Sequence, residues 1–175
     1  MFRLLIVSLV LSSPVYAGED SIVHKKDSVL YKEDCAIHKI YCAIKTIKPS
    51  VKSSFAFQLS NYIAKYASLH GTNPLRTVAI IAQESMFRNI NTAIDIGLYQ
   101  INIATATEYK IDITRLQEDL EYATEQHILL LKRKKGYCSA LGLEDWTCYH
   151  SKTPVHREAY KLAVDRHYKK IVNFQ

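Results

Sequence analysis

Residues 73–85 read Asn-Pro-Leu-Arg-Thr-Val-Ala-Ile-Ile-Ala-Gln-Glu-Ser. Asn73 is a helix-capping residue, and Pro74 occupies the first turn, where its missing N–H costs nothing. Leu75, Val78, Ala79, Ile81 and Ala82 leave almost no polar face, so the stretch predicts a buried helix running to about Phe87. A buried helix must be surrounded, and the flanking sequence supplies other helices. Upstream, Phe55, Leu59, Tyr62, Ile63, Tyr66 and Leu69 form one apolar stripe at a period of about 3.6, and Gly71 supplies a stop. Farther upstream, Ile37, Ile40, Tyr41, Ile44 and Ile47 mark a short amphipathic helix that Pro49 ends.

Downstream, Asp119 opens a helix with Leu120, Ala123, His127, Leu130 and Leu131 on one side. Gly136 is expected just past its end, with Lys132 to Lys135 in the last turn, where cations suit the helix dipole. A last helix starts at Thr153-Pro154 and buries Tyr160, Ala163, His167, Tyr168 and Ile171. Strand-like alternation is scarce, so the fold class is mainly α.

Composition agrees with one globular unit. The 175 residues are 48% apolar and 23% charged, which excludes a disordered chain. No repeated apolar runs of about 20 residues are present, which excludes a multi-pass membrane protein. The net charge is +6. No basic cluster is interleaved with aromatics in a nucleic-acid motif, so nucleic acid is not an expected partner.

Residues 1–17, Met-Phe-Arg through Val-Tyr-Ala, have the pattern of a cleaved signal peptide: Arg3, an apolar run from Leu4 to Leu11, and small residues before the cut. The run is too short to span a bilayer, so the expectation is an exported chain, in the periplasm or cell envelope, with no stable membrane insertion. Residues 18–50 read as an N-terminal extension and 51–175 as the main domain. Four cysteines, Cys35, Cys42, Cys138 and Cys148, suit an oxidising compartment. Cys138 with Cys148 is the favoured bridge, because Gly142 lets the segment turn. Cys35 and Cys42 are also candidates, but a regular helix would hold their Cα atoms about 10 Å apart, too far to join. No Cys-x-x-Cys pair and no His-Glu-x-x-His motif is present, and no metal or cofactor is expected.

Glu84 is the residue with chemistry in view. A carboxylate at the end of a buried helix keeps its proton through desolvation and through the negative end of the helix dipole. A raised pKa is what a general acid needs near neutral pH. The run Gly97-Leu98-Tyr99-Gln100-Ile101-Asn102 adds a permissive glycine and an amide suited to sugar or amide groups.

Taken together, Ala82-Gln83-Glu84-Ser85-Met86-Phe87, the Gly97–Asn102 run and Cys148-Tyr149-His150-Ser151 resemble the lytic transglycosylases of the goose-lysozyme-like superfamily. The likeness covers about two-thirds of the chain, from Phe55 to Ile171. It implies a lysozyme-like transglycosylase domain that cleaves the β-1,4 bond between N-acetylmuramic acid and N-acetylglucosamine in peptidoglycan glycan strands. By the same resemblance, Glu84 is the single catalytic acid/base and Ser85 orients it. Gly97, Leu98, Tyr99 and Gln100 lie on the glycan cleft, and Tyr149 and His150 sit near the acid and the sugar. The short exported form is similar to members that serve secretion or conjugation machines or are carried by phages.

The sequence departs from the family pattern in three places. Tyr99 stands for the usual Met, with sugar stacking still open to it. His150-Ser151 stands for Asn-Ala or Asn-Ser. Ala123 falls where a third motif has Asn. Asp95 is the nearest second carboxylate by sequence and reads as a loop-ordering residue. His127, His156 and His167 read as packed or surface residues. Two rivals stand beside the transglycosylase: a lysozyme-type hydrolase that uses water, and a non-catalytic wall-binding scaffold subunit.

Overall fold

The computed structural model describes residues 35–144, 146–150 and 153–174. The expectations for the leader and for residues 18–34 lie outside them. The described chain is mainly helical. Helix α1 spans 35–47, followed by α2 (Ser53–His70) and α3 (Pro74–Ser85). A hairpin of β1 (Asp95–Ile96) and β2 (Ile101–Asn102) comes next, then the short α4 (Ile103–Glu108) and α5 (Ile113–Glu118), α6 (Leu120–Ala140) and α7 (Pro154–Val172). None of these helices is long and apolar enough to cross a membrane.

Helix α3 is the axle of the fold. Its Val78, Ala79, Ile80, Ile81 and Ala82 are all buried. Asn73 Oδ1 accepts from the backbone N–H groups of Leu75 and Arg76, as a capping residue should. The helix packs on α7, and α2 packs on α6. Ile40, Ala43, Ile44 and Ile47 of α1 enter the same apolar core, so residues 35–50 are part of it rather than an appendage.

The packing corrects several expectations. Helix α3 stops at Ser85, not Phe87, because Met86 and Phe87 both take left-handed backbone (φ 51° and 58°). Leu69 is 66% exposed, while Ala56, Ser60 and Ala67 fill the buried side of α2. Gly136 does not end α6, which continues to Ala140 and leaves no basic residue in its last turn. The anchor is Cys138, fully buried and joined to Cys148 with 5.8 Å between Cα atoms. Gly142, at φ 67°, makes the turn between them. On α7, Val164 and Arg157 are buried, whereas Ala163, His167 and Tyr168 are only half-buried.

Cys35 and Cys42 are not bridged. They lie two turns apart on regular helix, beyond the reach of a disulfide. Cys42 Sγ instead sits 3.5 Å from His38 Nε2.

Candidate active site

The end of α3 is held from three sides. Lys48, just past α1, donates to the Met86 carbonyl at 2.8 Å, satisfying one of the orphan acceptors of the helix end. The Ser85 hydroxyl donates to the Leu98 carbonyl at 2.7 Å and ties the helix to the hairpin turn. The Tyr160 hydroxyl, from α7, donates to Glu84 Oε1 at 2.6 Å. Two consecutive left-handed non-glycine residues directly after Ser85 add backbone strain, which persists only where surrounding contacts fix it.

The hairpin forms the facing wall. Asp95 pairs with Asn102 across the strands, and Asn102 Nδ2 donates to the Asp95 carboxylate at 3.0 Å. Gly97 takes φ 74°, and a Cβ there would meet the Leu116 carbonyl oxygen at 3.0 Å, so glycine is required twice over. Gln100 has φ 46°, and its amide Nε2 donates to the carbonyls of Ile90 and Gly97.

Between these walls lies a cavity of about 290 Å³. Glu84, Asp95, Gln100, Asn102, Thr105, Lys134, Tyr149 and His150 contribute polar or charged lining, and Ile94, Ile101 and Leu130 contribute apolar lining. Burial pushes the Glu84 carboxyl up to about 7, and the charge of Asp95 adds to the rise, while the Tyr160 hydrogen bond opposes it. A carboxyl in that range can give a proton and take one back near neutral pH. Burial pushes His150 down, so the neutral imidazole is favoured. Its ring stacks on Tyr160 at 4.5 Å between centroids.

Four of the residues expected to touch substrate stand behind the wall instead. Ser85 gives its hydroxyl to the Leu98 and Ile81 carbonyls, not to the neighbouring carboxylate. Gly97 shapes the turn. Leu98 is buried. Tyr99 is 1% exposed, donates its hydroxyl to Thr124 Oγ1 at 2.8 Å, and stacks on His127 at 4.3 Å. Sugar stacking on Tyr99 is therefore excluded, because the turn sends its ring into the core. Ala123 is buried there too and contributes nothing to the cavity.

Tyr149 lines the cavity, but its hydroxyl donates to the Tyr99 carbonyl at 3.0 Å rather than to Glu84. The expected phenol beside the acid comes from Tyr160, which sequence reasoning placed only on a buried helix face. Lys134 was missed as well: it lines the cavity and donates Nζ to the Tyr149 carbonyl at 2.9 Å. No spacing signal marks either residue; Lys134 sits in an ordinary basic run. Among the described residues no three His, Cys, Asp or Glu side chains are grouped so as to hold a metal ion.

Comparison with family models, with curated proteins and with solved structures finds no match to this chain.

Proposed function

We propose that the chain is an exported peptidoglycan lytic transglycosylase with a lysozyme-like fold, in which Glu84 is the acid and then the base. The observation that carries this reading is a single carboxyl raised to about 7, positioned by a phenol, on the wall of a cavity rich in amide and hydroxyl groups. The residue resemblance around Glu84, Gln100 and Tyr149 supports the substrate class, and the Cys138–Cys148 bridge supports an oxidising compartment.

In this mechanism Glu84 protonates the glycosidic oxygen as the bond to N-acetylglucosamine breaks. The N-acetyl group of the muramic acid assists from below the ring. Glu84, now a carboxylate, takes the proton of that sugar's 6-hydroxyl, whose oxygen closes the 1,6-anhydro ring at C1. Proton and electron pair balance without water. Tyr160 steadies the carboxylate between the two transfers, and the fixed dipoles of Asn102 and Gln100 hold the glycan. A secretion or conjugation machine that needs an opening in the wall is the partner this activity suits.

A hydrolase reading is favoured by one observation. Asp95 lines the same cavity, is held by Asn102, and acts on Glu84 through its charge. As a second carboxylate it could direct water to the sugar. Purified sacculi incubated with the wild type and with Glu84→Gln test both enzyme readings. Solubilisation by the wild type alone supports them, and equal solubilisation by the two, or none by either, overturns them.

A further inference from the structure

His150 has no part in the proton transfers at Glu84, yet it packs on the phenol that holds that carboxyl. Its imidazole lies almost parallel to the Tyr160 ring, with 7° between planes and 4.5 Å between centroids. Trp146 meets the same ring from farther off and at a tilt, 6.4 Å and 49°. Tyr160 is buried, whereas His150 is exposed and also lines the Glu84 cavity.

Both partners of the stack are anchored independently of it. On the His150 side, Cys148 is bridged to Cys138 and gives its backbone N–H to Cys138 Sγ. The Tyr149 carbonyl accepts from Lys134, and the Tyr149 hydroxyl donates to the Tyr99 carbonyl. The imidazole therefore projects from a fixed point. On the other side, Arg76 of α3 pairs with Asp165 of α7, five residues beyond Tyr160, so α7 is placed on α3 without His150. What is left to be fixed is the rotation of the Tyr160 side chain about its own bonds. The 2.6 Å bond to Glu84 requires one setting of that rotation, and a ring stacked face to face disfavours the others.

We infer that His150 is a positioning residue for Glu84: its flat ring holds the Tyr160 phenol in the rotamer that reaches the carboxyl. The shape of the imidazole acts, not its charge, and it acts through Tyr160 rather than by touching the sugar. The inference deepens the reading of Glu84 as the acid and rests on that reading only for its effect on turnover. The titratable and charged groups around the Glu84–Tyr160 pair are Asp95 of the hairpin, Lys134 of α6, Tyr149 and His150, and His156 of α7 acts on His150 in turn.

The test is an NMR titration of the Glu84 side-chain carboxyl in protein carbon-labelled at glutamate, the resonance being identified by its loss in Glu84→Gln. It needs no turnover, so its failure is distinct from a failure to cleave glycan. His150→Ala should raise the midpoint above about 7 by as much as about one pH unit, the direction expected of Tyr160→Phe, because both changes loosen the same hydrogen bond. His150→Phe keeps a flat ring without a titrating group and should leave the midpoint in place. In the Tyr160→Phe background, His150→Ala should add nothing further. In cleavage assays the alkaline limb of the rate should follow the carboxyl in each variant. A downward move in His150→Ala would show that the ring only shields Glu84 from water, and an unmoved midpoint would show no coupling; either overturns the inference. So would a shift in His150→Phe equal to that in His150→Ala, or a full additional shift on top of Tyr160→Phe.

Discussion

Tyr160 of α7 donates its hydroxyl to Glu84 Oε1 of α3 at 2.6 Å, across 76 residues of sequence. The bond opposes the burial that raises the carboxyl, so it sets where between acid and base Glu84 rests. Tyr160 is itself clamped: His150 stacks on its ring and Trp146 lies 6.4 Å away. The helix pair α3–α7 thus positions the candidate acid, and the hairpin faces it.

Removing that bond should move a pH profile. Tyr160→Phe keeps the ring and takes away the hydroxyl, so the Glu84 carboxyl should rise further. Activity, which needs the protonated acid, is expected to fall above about 7 in the wild type and at higher pH in the variant. Rates on soluble glycan strands between pH 5 and 9 decide it. An unmoved alkaline limb would remove Tyr160 from the account.

Asp95→Asn should act in the opposite direction. The neutral amide removes a charge that raises Glu84, so the alkaline limb should move down while Asn102 still has a partner. Turnover at pH 5 should survive within about tenfold if Glu84 works alone. A loss on the scale of about 10²–10⁴-fold would give Asp95 a catalytic part and favour the hydrolase.

Glu84 also links stability to pH. Its folded carboxyl lies above the ordinary value of 4.5, at about 7, so the folded state holds its proton more tightly than the unfolded chain. Its favourable contribution is fully present below about 4.5 and is lost as pH rises through about 7. Glu84→Gln, which still accepts from Tyr160, should therefore gain stability relative to the wild type across that window. The ceiling is about 3 kcal/mol, reduced by the part of the side chain that solvent reaches. Urea unfolding at pH 4.5 and pH 8 measures it; a difference that does not grow with pH would contradict the buried, proton-holding Glu84.

His127 lies fully buried between Tyr99 and Tyr149, and neither ring nitrogen has a hydrogen-bond partner. Burial pushes its pKa down to about 3. The folded state resists its protonation, so stability is lost as pH falls from about 6.5 toward about 3. His127→Leu should flatten that acid limb and, at neutral pH, cost little, because no hydrogen bond is broken. Melting curves at pH 7, 5 and 4 test this; an equally steep acid limb would place the titration elsewhere.

Tyr149→Phe separates stability from chemistry. The lost hydroxyl leaves the Tyr99 carbonyl buried and unpaired, at a cost of about 1–3 kcal/mol. A phenol beside the acid and the sugar, where the resemblance puts Tyr149, would on loss of its hydroxyl cost activity with little change in melting. The geometry reverses that order, and thermal melting beside rate measurement checks it. A full rate loss with an unchanged melting temperature would put Tyr149 back beside the sugar.

The parts of this protein that were legible in sequence are those with strong punctuation. Asn73-Pro74 and Asp119 gave true helix starts, and the apolar run before Glu84 gave the buried carboxyl. Helices α4 and α5, six residues each, are too short for an amphipathic period to register. Gly136 misled because a propensity cost of about 1 kcal/mol is small beside the packing of Cys138. Tyr99 misled because left-handed backbone at Gly97 and Gln100 turns the side chain between them inward. Tyr160 was invisible as a partner because nothing local distinguishes a core tyrosine from one that meets a carboxyl 76 residues away.

The most direct measurement is mass spectrometry of the muropeptides released from purified peptidoglycan. Glu84 acting as acid and then base predicts products ending in 1,6-anhydromuramic acid, each lighter by one water than its hydrolytic counterpart, and none from Glu84→Gln. Reducing ends from the wild type would contradict the internal ring closure and select the water-using hydrolase. Release of no fragment at all would leave the protein as a wall-binding scaffold.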